Sequence, residues 1–250
     1  GQLGLEPCTG SVVVTDTNTG QLLACVSYPG YDNNRLANTM DSAYYSKLLH
    51  DKSSPLYNNA TQERTAPGST YKPLVAVAGL TEGVIDSQST VTCTGVYDKT
   101  YLNPKCWIYP KSHGTLNVVG GIQHSCNVFF FEVGYRLGLT GQGTSSGTEE
   151  RSEEQGLATL AKYATSFGLN QTTGIEIPES DPKISDEDSV RSAIGQGTNN
   201  YTTTQLARYI TAVANKGTVY NLTLLDKVTD VSGQVVEQKE PDVLNTITDV

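Results

Sequence analysis

Two serines, a lysine and an asparagine carry the chemistry that the sequence suggests. Ser69 follows the Pro67-Gly68 turn and Lys72 lies three residues further on, which on a helix puts both side chains on one face. From Leu74 to Leu80 no charged residue occurs. The stretch predicts a helix buried on all sides, with Ser69 at its N-cap or first turn and Pro73 where a missing N–H loses nothing. At that end the helix dipole disfavours an ammonium and favours an oxyanion, and burial drives the lysine further toward the neutral amine that a base must be. Ser69 is thus a candidate nucleophile and Lys72 its candidate base. With 20 Ser and 11 Lys in 250 residues, about one Ser-x-x-Lys arises by chance. A second one, Ser180 to Lys183, sits in a run of Pro, Asp and Ser with no apolar helix behind it, and is read as chance.

Ser125-Cys126-Asn127 is the one Ser-x-Asn in the chain and falls in a helix-breaking turn. A serine there suits a proton relay between the lysine and a leaving nitrogen. An asparagine suits holding Lys72 on one side and a substrate amide on the other. The competing reading is a plain capping turn at the head of the next helix.

These groups need a frame. Residues 10–28 read as a β-hairpin whose two apolar runs flank a turn at Asp16–Gly20; both runs are nearly continuous, so the sheet is expected to be covered on both faces. Helices are expected over 41–50, from Ser69 to residue 80, over 115–123, over 128–137, over 157–167 and over 203–215, the last closed by Lys216-Gly217. Residues 222–229 and 234–238 read as a second hairpin. Residues 141–155 are poor in apolar side chains and read as a solvated, dispensable loop.

The 250 residues suffice for one large or two small domains with a substantial core. A net charge of −9 with no Lys/Arg cluster argues against nucleic acid as a partner. No apolar run approaches a membrane span and the first residues are no signal peptide, so any export or anchoring segment is expected outside this sequence. Five scattered cysteines do not form a disulfide scaffold; a Cys93–Cys106 bridge and idle thiols are equal readings. No metal is expected. His50, His113 and His124 have no ligand partner at zinc-finger spacing and read as local hydrogen-bonding residues.

Ser-x-x-Lys followed by Ser-x-Asn is the pairing found in penicillin-binding proteins and β-lactamases. On these motifs the chain resembles the transpeptidase domain of penicillin-binding proteins, the monofunctional class B kind above all. The resemblance extends in order through Val26-Ser27-Tyr28-Pro29-Gly30-Tyr31-Asp32, Pro55 to Thr61, Pro67 to Pro73, His113-Gly114, Ser125 to Asn127 with Phe129 to Phe131, Gly195-Gln196-Gly197, and Gln205 to Gly217. One departure stands out: no Lys-Thr-Gly or Lys-Ser-Gly occurs, so the strand that carries this third motif is expected to be missing.

The resemblance implies an α/β fold of the β-lactamase/transpeptidase type, a central antiparallel sheet with helices on both faces, incomplete at the C-terminus, with residues 1–250 as one transpeptidase domain. It implies a serine D,D-transpeptidase that cross-links peptidoglycan stem peptides through an acyl-enzyme on Ser69 and is acylated by β-lactams. Lys72 would be the base, Ser125 the relay, Asn127 the amide anchor, and Gly195, Gln196 and Gly197 further substrate-binding positions. No cofactor is implied. The expected partners are stem peptides, β-lactams, cell-wall synthesis proteins and a companion polypeptide carrying Lys-Thr-Gly, at the extracytoplasmic face of a bacterial membrane. The alternatives are a D,D-carboxypeptidase or β-lactamase using water, which the lack of a Glu-x-x-x-Asn disfavours for a lactamase, and a non-catalytic β-lactam sensor or inactive fragment.

Overall fold

A computed structural model describes residues 8–140 and 150–248. The chain opens with a hairpin of β1 (Gly10–Thr15) and β2 (Leu22–Tyr28), followed by α1 (Ser42–Leu49), which Asp41 caps through the Tyr44 N–H. A short 3-10 turn, Gly68–Tyr71, then runs into α2 (Lys72–Thr81). Next come β3 (Val91–Cys93), its antiparallel partner β4 (Gly114–Leu116), α3 (Val118–Gln123) and α4 (Asn127–Leu137). The short pair β5 (Leu139–Thr140) and β6 (Glu150–Arg151) leads to α5 (Glu153–Ser166), and α6 (Ser189–Ser192) precedes α7 (Thr203–Ala214). The chain finishes with β7 (Thr218–Tyr220), β8 (Lys227–Thr229), β9 (Val235–Gln238) and β10 (Val243–Thr246), in which β8 pairs with β9 and β10 returns to β7.

The core is organised around α2 and α4. Leu74, Val75 and Ala78 of α2 and Phe129, Phe130 and Val133 of α4 are entirely buried, together with Phe167 and Leu169 beyond the end of α5. A helix apolar on every side has to be enclosed on every side, and α4 is wrapped by α2, α5, α6 and β3. Its one acid, Glu132, is buried but not stranded. It accepts from Tyr97 Oη (2.8 Å), Lys99 Nζ (2.9 Å) and Arg136 Nε (2.8 Å). Burial alone would raise its pKa, and these donors hold it below the usual carboxylate range.

Three expectations change. The β1–β2 sheet is covered on one face only. Ser11 and Thr15 bond across to Thr203 and Thr211 of α7, and Val13 packs with Leu22, Ile175 and Leu222. On the other face Val12, Val14, Val26 and Tyr28 are exposed, because among the described residues the strands pair only in twos and no third strand or helix covers them. The stretch 150–155 is no loop. Ser152 caps α5 through the Gln155 N–H, and Gly156 packs on Ser189, so only 141–149, which lie outside the described residues, remain of the dispensable segment. Finally, α3 begins at Val118 rather than 115, since Gly114–Leu116 extend to pair with β3 and Asn117 supplies the cap.

Candidate active site

Ser69 lies in the 3-10 turn at the head of α2 and is exposed, whereas Lys72, the first residue of α2, is 1% exposed. Four contacts clamp the turn between them. Gly68 N–H donates to the Gly195 carbonyl (3.0 Å), and Thr65 and Tyr201 exchange both backbone bonds. Tyr201 stacks on Tyr71 with ring centroids 6.3 Å apart. Tyr209 of α7, fully buried, donates through Oη to the Thr70 carbonyl (3.0 Å) and accepts from the Leu74 N–H (3.1 Å). A buried phenol with both hydrogen-bonding roles filled by one backbone turn fixes that turn's position.

Opposite, the α3–α4 turn carries Ser125, Cys126 and Asn127. Ser125 has φ +49°, a left-handed conformation that a non-glycine residue adopts only where its surroundings enforce it. Lys72 Nζ bridges the turn, bonding the Ser125 carbonyl (2.7 Å), Asn127 Oδ1 (2.7 Å) and Ser125 Oγ (3.0 Å). Two of these partners accept only. Lys72 Nζ donates to all three, which the three N–H groups of an ammonium satisfy, and loss of one proton frees a lone pair toward the Ser125 hydroxyl. Burial pushes the Lys72 pKa down to about 8, against the opposing effect of Cys106 and Cys126. Lys72 makes no hydrogen bond to Ser69 among the described residues; Ser125 is the serine it holds directly.

Ser69, Ser125 and Asn127 share one cleft of about 490 Å³ with Gly68, Trp107, Ile194 and Gln196. Of the glycine-rich trio, only Gln196 lines it. Gly195 (φ +72°) instead lies against Gly68, whose nitrogen would be 2.7 Å from an added Cβ. Gly197 (φ +70°) packs against Ser185 and Ser192. Gly195 thus packs against the turn that carries Ser69, and neither glycine is among the residues lining the cleft.

The fold also assembles what sequence spacing did not show. Cys93 of β3, Cys106 of the following loop, His113 before β4 and Cys126 bring their ligand atoms within 4.8 Å of one another. Cys93, Cys106 and Cys126 are buried and free of disulfides, so the Cys93–Cys106 bridge is not formed. His113 Nδ1 lies 3.6 Å from both the Cys93 and the Cys106 Sγ. Burial, His124 and Lys72 hold His113 below the usual imidazole range. Burial works against the Cys106 thiolate, but the N–H groups of Ile108, Val128 and Asn127 bring its pKa below the usual thiol value, while Cys126 is pushed up to about 12. Three thiols and one imidazole nitrogen this close together form a candidate tetrahedral ligand set. A tetrahedral zinc-type ion places its sulfurs roughly 3.8 Å apart, which this cluster meets with small movements. Sequence spacing does not reveal this cluster because the four residues come from separate elements, joined only by the fold.

A sequence model described as "Penicillin binding protein transpeptidase domain" matches residues 10–248. The chain belongs to the penicillin-binding protein transpeptidase family. It is 32% identical to peptidoglycan D,D-transpeptidase MrdA of Escherichia coli K12 over 93% of its own length, which is 37% of that relative. It superposes on Pseudomonas aeruginosa PBP2 in complex with WCK 5153 with a TM-score of 0.78 and 26% identity, covering 96% of this chain and 53% of that one. Penicillin-binding protein A of M. tuberculosis, solved as an imipenem acyl-enzyme complex, shares the fold at a TM-score of 0.79 and 23% identity, over 98% and 54% of the two chains. The chain therefore spans little more than a third of the curated relative it matches. Among the described residues no helix is long and apolar enough to cross a membrane.

Proposed function

We propose that this transpeptidase domain performs acyl transfer on Ser69, cross-linking peptidoglycan stem peptides at the extracytoplasmic face of a bacterial membrane. One observation carries the reading: a buried, pKa-lowered Lys72 is held by Ser125 and Asn127 in a cleft beside an exposed Ser69 at a helix head. Ser69 Oγ attacks the carbonyl between two D-alanines while its proton passes to the neutral Lys72. The oxyanion forms at the head of α2, where the Ser69 N–H and the helix dipole favour it. Ser125, bonded to Lys72, returns a proton to the leaving amine, and the ester on Ser69 is then attacked by the amine of a neighbouring stem. Asn127 anchors the donor's amide, and Gln196 lines the cleft where the donor lies. β-Lactams acylate the same serine.

Cys93, Cys106, Cys126 and His113 Nδ1 would hold a zinc-type ion. With four protein ligands and no open position it supplies no catalytic chemistry, only cross-linking of the turn that carries Ser125 and Asn127.

The exposed face of β1–β2 supports a further element packing against this sheet, as the resemblance implies for the Lys-Thr-Gly region. The second reading is a β-lactam sensor that acylates without turnover. Fluorescent penicillin labelling with nitrocefin turnover tests both. Single-hit labelling at Ser69 with cross-linking of a stem peptide supports the transpeptidase, rapid turnover supports a hydrolase, and labelling with neither supports the sensor.

A further inference from the structure

A second cavity, of about 260 Å³, is bordered by the same two chain segments as the catalytic cleft. The loop that brings Trp107 to the cleft lines this cavity with Tyr101 and Leu102, and the segment that brings Ile194 and Gln196 to the cleft lines it with Asp188 and Arg191. On the second side the link is direct. The Arg191 carbonyl accepts from the N–H groups of Ile194 (3.1 Å) and Gln196 (3.2 Å), so the residue whose side chain borders the cavity holds the cleft wall by its backbone. The helix α4 spans the two places. Asn127 at its head lines the cleft, and the Tyr135 ring lies 5.1 Å from the guanidinium carbon of Arg151, which lines the cavity. Residues 127 to 135 of a helix cover about 12 Å.

Four charged side chains line the cavity, and they divide into two kinds. Arg151 and Glu153 bond each other and Ser189, Arg151 through Ser189 Oγ (2.7 Å) and Glu153 through the Ser189 N–H. Asp188 and Arg191 do not pair. Asp188 holds a left-handed backbone at φ +50° and spends one carboxylate oxygen capping α6 through the Arg191 N–H (2.9 Å). Its other oxygen accepts from none of the described residues, and the Arg191 guanidinium donates to none of them. Opposite charges three apart can meet across a helical turn; these two border one cavity with both charges left open, beside the exposed side chains of Tyr101 and Leu102. A group that satisfies both carries an ammonium and a carboxylate close together on an apolar stem. Resting on the acyl-transfer reading above, we propose that this cavity is a donor subsite for a free α-amino-acid group at the end of a side chain, its carboxylate on Arg191 and its ammonium on Asp188. A diamino dicarboxylic acid just before the acyl D-alanine presents that group about 10 Å from the carbonyl that Ser69 attacks, one Cα step of about 3.8 Å plus a four-bond side chain. That reach matches the span from cleft to cavity.

The test is protection of Ser69 from a fluorescent penicillin by three synthetic pentapeptides, L-Ala-γ-D-Glu-X-D-Ala-D-Ala. In them X is meso-diaminopimelate, the same residue amidated at its side-chain carboxylate, or 2-aminopimelate, which keeps that carboxylate and lacks the side-chain ammonium. Each contact to an exposed charge is worth about three- to five-fold. The diaminopimelate peptide should therefore protect at a three- to five-fold lower concentration than either of the others. Arg191→Gln should remove the preference over the amide. Asp188→Asn, which keeps the cap and suits a left-handed backbone, should remove the preference over 2-aminopimelate. Each variant is compared with its own labelling rate without peptide. Protection that is equal or absent for all three peptides in the unmodified protein, or a preference that survives the variant meant to remove it, overturns the subsite and leaves penicillin labelling of Ser69 standing. Free meso-diaminopimelate that changes the labelling rate while the three peptides stay equal would mean that the cavity takes a free amino acid, and overturns its assignment to the donor. An unmodified protein that the penicillin does not label overturns the acyl-transfer reading, and the subsite with it.

Discussion

Acylation should rise with pH along the titration of Lys72. Burial places this amine at a pKa of about 8 instead of its ordinary 10.5, so roughly one-tenth of it is neutral at pH 7, half at pH 8 and nine-tenths at pH 9. An unshifted lysine would be neutral to about three parts in ten thousand at pH 7, a loss of roughly 300-fold in competent base. The sign follows from the neutral form being the active one: lowering the pH protonates Lys72 and removes the base. The pseudo-first-order rate of labelling by a fluorescent penicillin, measured from pH 6 to pH 10, should therefore climb about ten-fold per unit below pH 7, about five-fold from pH 7 to 8 and less than two-fold from pH 8 to 9. The penicillin carboxylate does not titrate in this range. Lys72→Arg keeps the charge at all these values and should reduce labelling at least a hundred-fold without restoring it at high pH. A rate flat across pH 7 to 9, or a midpoint above pH 10, would refute the assignment of Lys72 as base.

Ser69→Ala should abolish penicillin labelling with almost no change in melting temperature, because Ser69 is exposed and anchors nothing in the core; thermal unfolding and gel fluorescence read the two halves. Tyr209→Phe leaves the Leu74 N–H and the Thr70 carbonyl without their buried partner, an expected loss of about 1–3 kcal/mol, or several degrees in melting temperature, accompanied by slower labelling. Gly195→Ala would press a methyl group into the Gly68 backbone and hold an alanine at φ +72°, so labelling should fall sharply even in the fraction that folds, as separated by size exclusion. Protein purified with its metal should carry one zinc per chain by mass spectrometry under native conditions. A strong chelator should lower its melting temperature, and Cys93→Ser should remove the ion; a metal-free protein of unchanged stability would contradict the clip.

Much of the site is legible in sequence because its members lie close along the chain. Ser69 and Lys72 share one helical turn, Ser125 and Asn127 one loop, and the motif spacing survives without knowledge of the fold. The helix over Thr203–Ala214 is equally plain, with Thr202 and Gln205 forming a capping box at its head. What escapes is long-range. Tyr209 reaches Thr70 across 139 positions, and no local pattern marks a tyrosine on an amphipathic helix as the support of a distant nucleophile. The cysteines and His113 are separated by 13, 7 and 13 positions, far from any zinc-finger spacing, and meet because β3, β4 and the α4 cap converge. The head of α5 was written in Ser152-Glu153-Glu154-Gln155, a capping serine with acids in the first turn, but its low apolar content masks it, since a helix lying on the surface buries only one narrow stripe.

The division of labour within the domain follows from where its supports lie. Gly195, Tyr201 and Tyr209 hold the turn that carries Ser69, and the Ser125–Asn127 turn holds Lys72. The proposed nucleophile, base and relay are thus held by described residues of this chain. The outer face of β1–β2 is not. Val12, Val14, Val26 and Tyr28 present a ribbon of apolar side chains, and a two-stranded sheet gains little stability from itself. If a further element that includes a Lys-Thr-Gly strand packs against this sheet, the energy of docking comes mainly from covering those side chains. Docking and acylation are then separable. Val12→Thr with Val26→Thr should weaken association of a polypeptide carrying that strand, measured by titration calorimetry, and leave the acylation rate of the assembled complex at saturation unchanged. Loss of the saturated rate in parallel with affinity would mean that the hairpin positions the catalytic groups itself.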